Sequence, residues 1–190
     1  TVGATLGYEL MSQRYWYLTS NSTGSASDDV PILDSGINFK ASNKDEKQAL
    51  MSLFGRVSYD FAQKYIVSAT FRYDGSSKFA KGNRWAFFPA VSVGWRIDKE
   101  NFMQNVRAVD VLKLRGSVGE MGNQAIGNYE YLMAVLANKS YNYSFGDVLS
   151  GGAAIKDFVD ENISWETTRT YNLGLDFEAF DHRLLFSVDL

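Results

Sequence analysis

Seven charged residues, Arg56, Arg72, Asp74, Arg96, Arg115, Asp176 and Asp189, stand at alternate positions within otherwise uncharged runs. Guanidinium and carboxylate groups in that phase can pair across neighbouring strands as a structural network. They can equally line a wet interior and guide a charged solute. Covalent catalysis has far less to work with. His182 is the only histidine, set in a predicted turn between Asp181 and Arg183, where solvation is its ordinary state. No Ser/His/Asp, HExxH or phosphate-loop pattern occurs, so no enzymatic activity is expected. Asp28, Asp29, Asp160 and Glu161 lack the register of a calcium loop. There is no cysteine, which removes thiolate metal sites and disulfides. Neither a cofactor nor a metal is expected.

A second group is aromatic. Trp85, Tyr129, Tyr131, Tyr141, Tyr143 and Trp165 fall in or beside long polar stretches, near Asn123, Gln124 and Asn128. Flat rings beside amides suit sugar or peptide ligands, because ring faces cover C–H surface while polar groups fix orientation. The alternative for each ring is packing within its own loop.

The elements that must position these groups are strands. From Lys64 to Ile97 two alternating runs flank a polar, glycine-bearing loop. Tyr65, Val67, Ala69, Phe71 and Tyr73 make one uncharged face; Phe87, Pro89, Val91, Val93, Trp95 and Ile97 make another. Alternation over about ten residues, aromatic at the ends and aliphatic between, is what a membrane-spanning β-strand requires. The opposite faces carry mainly Ser, Thr, Gly, Asn and Arg rather than the Lys and Glu of a water-exposed sheet.

Seven strands are predicted, over about Val2–Leu18, Ala49–Phe61, Tyr65–Asp74, Phe87–Ile97, Leu112–Glu120 and Thr168–Phe177, with a seventh after Arg183. Thr19–Lys47, Gly75–Arg84 and Met121–Glu166 read as the longer connections, the last with β-structure around Tyr129–Leu136 and Tyr141–Phe145. Ala62–Lys64 and Ala179–Arg183 read as turns, and the stretch after Ile97 as a connector with a short helical turn. Sorting of short and long connections by parity is a barrel's habit, with short periplasmic turns and long outer loops. Tyr59, Phe61, Tyr65, Trp95 and Phe177 then form an aromatic girdle at the short-turn rim. Pro89 calls for a bulge or local distortion.

The chain has 190 residues and a net charge of −3. That charge offers no basic patch, so nucleic acid is not an expected partner. No run of about 18 apolar residues exists to make a transmembrane helix. TVGATLGYEL has no signal-peptide features and already alternates, so the expectation is a start within a longer protein.

The words RYDGSSKF, NRWAFFPAVSVGWRI, LKLRGSVGEMGNQAIGNY and ISWETTRTYNLGLDF, followed by HRLLFSVDL, carry a resemblance. In that order they resemble the SusC/RagA-like TonB-dependent transporters of the Bacteroidetes outer membrane, over roughly residues 48–190. The resemblance implies an all-β antiparallel up-and-down meander of about seven strands, part of a 22-stranded transmembrane barrel. Residues 1–190 would be a partial barrel domain, the plug and remaining strands lying elsewhere. It further implies import of glycans or peptides across the outer membrane, with a SusD-like surface lipoprotein, the TonB complex acting through the plug, and lipid as partners. Arg56, Arg72, Asp74, Arg96, Arg115 and Asp176 would then face the lumen. Two rivals stand beside this reading: a receptor of the same fold for a siderophore or metal complex, and a soluble carbohydrate-binding β-sandwich.

Overall fold

The computed structural model describes residues 1–24, 36–133, 135–137, 143–146, 148–150, 152–155 and 159–190. Its strands are β1 (Val2–Thr23), β2 (Asn38–Phe61), β3 (Tyr65–Ser76), β4 (Trp85–Arg96), β5 (Val109–Asn123), β6 (Val135–Ala137), β7 (Tyr143–Phe145), β8 (Val148–Ser150), β9 (Ala153–Ile155), β10 (Glu166–Ala179) and β11 (Leu184–Asp189). A 7-stranded sheet runs β1-β2-β3-β4-β5-β10-β11, every pair antiparallel, so the predicted meander is present. β6 pairs with β9 and β7 with β8 as separate two-stranded ribbons.

Register fixes two chemically distinct faces. One cross-strand row reads Tyr59, Val67, Val93, Gly116 and Leu173; another reads Val57, Ala69, Val91, Val118 and Tyr171. Between them, on the other face, runs Ser58, Ser68, Ser92, Ser117 and Asn172. Side chains alternate with a period of two, so a one-residue slip in any strand would put serines into lipid.

The apolar face is not covered. Val57 and Val93 are 53% and 52% exposed, and Phe79, Phe88 and Ala179 are the buried apolar residues among those described. A soluble sandwich would cover that face with a second sheet; among the described residues the remaining strands form only two short two-stranded ribbons, and the face stays exposed. The sandwich reading fails on this point. Aromatic pairs mark the two edges of the band: Tyr59–Phe61 and Phe61–Tyr65 below, Phe71–Phe87 and Tyr73–Trp85 above. From Tyr65 to Tyr73 the strand rises about 27 Å at roughly 3.4 Å per residue. A tilt of about 40° reduces this to about 21 Å, near the ~25 Å apolar belt of an outer-membrane barrel.

The structure corrects several sequence expectations. Most of Thr19–Lys47 is strand rather than loop, with pairing unbroken up to Thr23↔Asn38. Above the membrane both faces are wet, so hydropathy stops alternating while the backbone ladder continues. Polar cross-strand contacts such as Arg14 Nε to Asp45 Oδ1, 2.7 Å, accompany it. β5 and β10 also exceed their expected ends, and β4 stops at Arg96 because Ile97–Lys99 forms a 3₁₀ turn.

Pro89 causes no bulge against β3, where Phe71↔Pro89 is in register. Ser76 N–H donates to Arg84 O at 3.0 Å, and Arg96 N–H to Lys64 O at 2.8 Å. Even-numbered residues of β4 therefore bond toward β3, and the proline nitrogen faces β5. The β4–β5 ladder ends at Ala90↔Gly119, so no amide is needed there. Among the described residues, register between sheet neighbours shifts at Glu178/Ala179.

Non-glycine residues with positive φ make both tight turns. Ala62 and Gln63 (52° and 56°) are the left-handed central pair of a turn closed by Lys64 N–H donating to Phe61 O at 2.9 Å, and Asp60 Oδ1 accepts from Gln63 N–H at 2.8 Å. Phe180, Asp181 and His182 (59°, 54° and 60°) make the other. There His182 Nδ1 lies 2.5 Å from Glu178 Oε2, and its backbone N–H donates to Asp110 Oδ2 at 3.0 Å.

In the intact barrel, Val93→Arg should destabilise by about 2–4 kcal/mol if it sits near the midplane, and Ser92→Arg by much less. A folding titration in lipid vesicles checks the difference, and equal penalties would refute the assigned faces. The Glu178 contact raises the His182 pKa, burial opposes it, and the charges of Asp110, Glu178 and Asp181 add to the rise. A raised folded-state value means the contact stabilises fully below the ordinary imidazole pKa of about 6.5. That stabilisation fades as pH rises through the raised value. Amide exchange at His182 should therefore be slower at low than at high pH after correction for intrinsic rates, and Glu178→Gln should remove the difference.

Candidate functional site

Opposite the lipid-facing rows, the polar face closes around a concavity of about 700 Å³. Phe54, Arg56, Arg72, Asp74, Phe88 and Trp165 line it. Its floor is an ion-pair network built by strand register. Arg72 Nε lies 2.8 Å from both oxygens of Asp74, two residues along β3 and therefore on the same face. Arg72 Nη2 donates to Ser52 Oγ at 2.9 Å and to Glu9 at 3.1 Å, linking β3 to β2 and β1. The guanidinium lies 5.8 Å from the Phe54 ring centroid. Asp74 is only 7% exposed, and Arg72 is its ion-pair partner.

The other predicted lumen residues divide into three places. Arg115 reaches Asp176 at 3.1 and 3.2 Å and Asp189 at 2.9 Å, while Ser187 Oγ donates to Asp176 at 2.7 Å. This knot ties β5, β10 and β11. Arg96 makes a two-bond contact with Asp98, 2.7 Å each, just past the end of β4. Arg56 donates to Ser68 Oγ at 3.0 Å. Among the described residues no carboxylate reaches it. Part-exposed ion pairs contribute about 0–1 kcal/mol each, so the network's main effect is a polar wall whose charges are mostly neutralised in place.

Among the described residues the loop aromatics are not brought together. Trp165 is half-buried between Phe79 (5.1 Å) and Phe88 (5.4 Å, edge-on), and its indole N–H donates to Arg84 O at 2.8 Å. Phe79, absent from the sequence-based candidates, is fully buried there. The space is the gap left above Ala90, and a Cβ on Gly122 would meet the Phe88 ring at 2.0 Å. Trp85 lies on the apolar outer face instead, stacked 4.9 Å from Tyr73. The reason is register: Trp85 pairs with Gly75, in phase with Tyr73 and Phe87.

Tyr129 caps a strand edge. Its hydroxyl accepts from Lys47 N–H at 3.2 Å and donates to Lys47 O at 3.1 Å, above the point where β3 leaves β2. Asn128 Nδ2 donates to Glu46 at 3.1 Å, and Lys78 Nζ to the carbonyls of Gln124 and Ile126 at 3.3 and 2.8 Å. Tyr131 is half-buried. Tyr143 opens β7, and Tyr141 lies outside the described residues.

At the short-turn rim Glu100 gathers girdle groups. Tyr65 Oη donates at 2.6 Å, Trp95 Nε1 at 3.1 Å and Lys64 Nζ at 3.3 Å. These donors hold the carboxyl below the usual range, the tyrosine bond first, then the indole, with burial opposing and the lysine adding. Among the described residues no cluster of metal-ligating side chains occurs.

A sheet apolar and uncovered on one face, with aromatic belts and a polar, internally paired opposite face, is the wall of an outer-membrane β-barrel. The family model described as TonB dependent receptor-like, beta-barrel matches residues 1–190, and the chain belongs to that family. It is 41% identical over 145 residues to the TonB-dependent receptor SusC of Bacteroides thetaiotaomicron, covering 75% of this chain and 14% of that protein. Two TonB-dependent receptors of Formosa agariphila match at 43% over 141 residues (74% of this chain, 14% of the relative) and 34% over 194 residues (100% and 18%). A solved structure of the RagAB peptide transporter superposes with a TM-score of 0.84 at 29% identity, over 99% of this chain and 21% of that one. The chain is thus SusC/RagA-type, belongs in the outer membrane, and spans under a fifth of its curated relatives' length.

Trp165→Ala should loosen the loops on either side of the gap, making Ser77–Arg84 cleavable in limited proteolysis while the barrel stays folded. Trp165→Phe keeps the ring contacts and loses one hydrogen bond, a cost of about 0.5–1.5 kcal/mol, so its cleavage should stay near wild type.

Proposed function

We propose that this chain is part of a TonB-dependent importer of glycans or peptides, contributing barrel wall, lumen lining and outer loops. The observation that carries this reading is the roomy concavity on the polar face, backed by a continuous lipid-facing surface. The full protein would close a barrel of about 22 strands around a plug, the size class in which a plugged lumen occurs. The partial-barrel reading of residues 1–190 fits the family match over the whole chain.

In this reading the plug is displaced by energy delivered through TonB, and a SusD-like lipoprotein covers the outer mouth. Cargo passes without covalent chemistry. Arg56, Arg72, Asp74, Arg115 and Asp176 face plug or cargo as a polar wall in which Arg72 pairs with Asp74 and Arg115 with Asp176, while Arg56 is held by Ser68. Tyr129, Tyr131, Tyr141, Tyr143 and Trp165 belong to the outer-loop region, with Tyr129 and Trp165 shaping it through contacts already made. Support for glycan or peptide cargo comes from the relatives, one named SusC and one described as a peptide transporter.

The test follows labelled oligosaccharides and peptides into cells that depend on the intact transporter. Uptake should disappear both on deleting the transporter gene and on inactivating TonB. Uptake that persists without TonB would overturn the reading.

A further inference from the structure

Above the lipid belt the β1–β2 hairpin continues as a paired ladder with unbroken register. Thr5 pairs with Arg56 on the polar face, and counting in twos from Thr5 puts Gln13, Tyr15 and Tyr17 on that face too. The Tyr15 and Tyr17 rings lie with centroids 6.4 Å apart and planes within 16° of parallel. They are 38% and 50% exposed.

Amides flank the rings. Tyr15 Oη donates to Gln13 Oε1 at 2.8 Å, and Gln48 Nε2 donates to the same oxygen at 2.5 Å. Charges beside the rings are already matched: Glu46, in register with Tyr15, is held by Lys44 and by Asn128. Met11↔Leu50 lies two residues below Gln13↔Gln48, and Leu50 lines the concavity.

We propose that Tyr15 and Tyr17 form a stacking rail for an uncharged glycan on its way into the lumen. The inference rests on the importer reading and narrows its cargo. Exposed tyrosine rings cover the C–H faces of pyranose units, and neighbouring amides exchange hydrogen bonds with sugar hydroxyls. A peptide would find less here. Strand addition needs a free backbone edge, and on β2 at this height the Tyr129 hydroxyl occupies both groups of Lys47. Peptide termini and charged side chains would meet carboxylates and ammonium groups that are already paired.

The experiment uses the full-length transporter, with isothermal titration against maltoheptaose, cellohexaose, laminarihexaose and xylohexaose, and against neutral decapeptides. TonB-dependent uptake of the same compounds is followed in cells. Tyr15→Ala/Tyr17→Ala should weaken binding of the preferred oligosaccharide about tenfold or more, while Tyr15→Phe/Tyr17→Phe stays within a few-fold. Trp16→Ala, on the other face of the same hairpin, should have no effect. Heat-modifiable mobility reports whether each barrel is folded. Unchanged binding by the folded alanine pair, or an equal loss with Trp16→Ala, overturns the rail. Binding and uptake of peptides alone overturn the glycan inference and leave the importer standing. Failure of TonB-dependent uptake of every compound overturns both.

Discussion

In hydrocarbon an unpartnered backbone amide costs several kcal/mol, and no water is present to relieve it. The continuous antiparallel ladder from β1 to β11 is the answer to that constraint, and everything else in this chain is arranged around it. Register locks the valines of β2, β3, β4 and β5 into shared rows on the lipid side. The same register puts the serine row on the other side. Pro89, within β4, survives because its nitrogen faces a place where the ladder has stopped.

Where that ladder stops is also where the site begins. β5 parts from β4 above Ala90, and the gap is filled by Phe88, Trp165 and Phe79 from three separate parts of the chain. β3 parts from β2 above Leu50, and Ser77 followed by the Tyr129 hydroxyl takes over the exposed edge. Open sheet edges invite pairing with other chains; here loop groups occupy them and shape the mouth at the same time.

The polar face is charged but mostly self-neutralised. A pore that presented bare arginines would hold anionic solutes, and one that presented bare carboxylates would hold cations. Arg72 pairs with Asp74 and Glu9, and Arg115 together with Lys113 pairs with Asp176 and Asp189, so most of the wall's charge is matched in place.

The sequence by itself determined the strands within the membrane, their two faces and the family. Lipid enforces hydropathic alternation, so Val67, Val91 and Val93 report their environment directly. The phase of Arg72, Asp74 and Arg115 placed them on the polar face for the same reason. Only the tertiary structure decided what those residues touch, because a pairing partner is set by register between strands far apart in the chain. It alone extended β1 and β2 beyond the bilayer, where both faces meet water and the period-two signal vanishes. It moved Trp85 onto the lipid side through its pairing with Gly75, and buried Phe79 against Trp165 across a gap that no local pattern announces. Those contacts depend on where two ladders end, a property of the folded sheet rather than of any one segment.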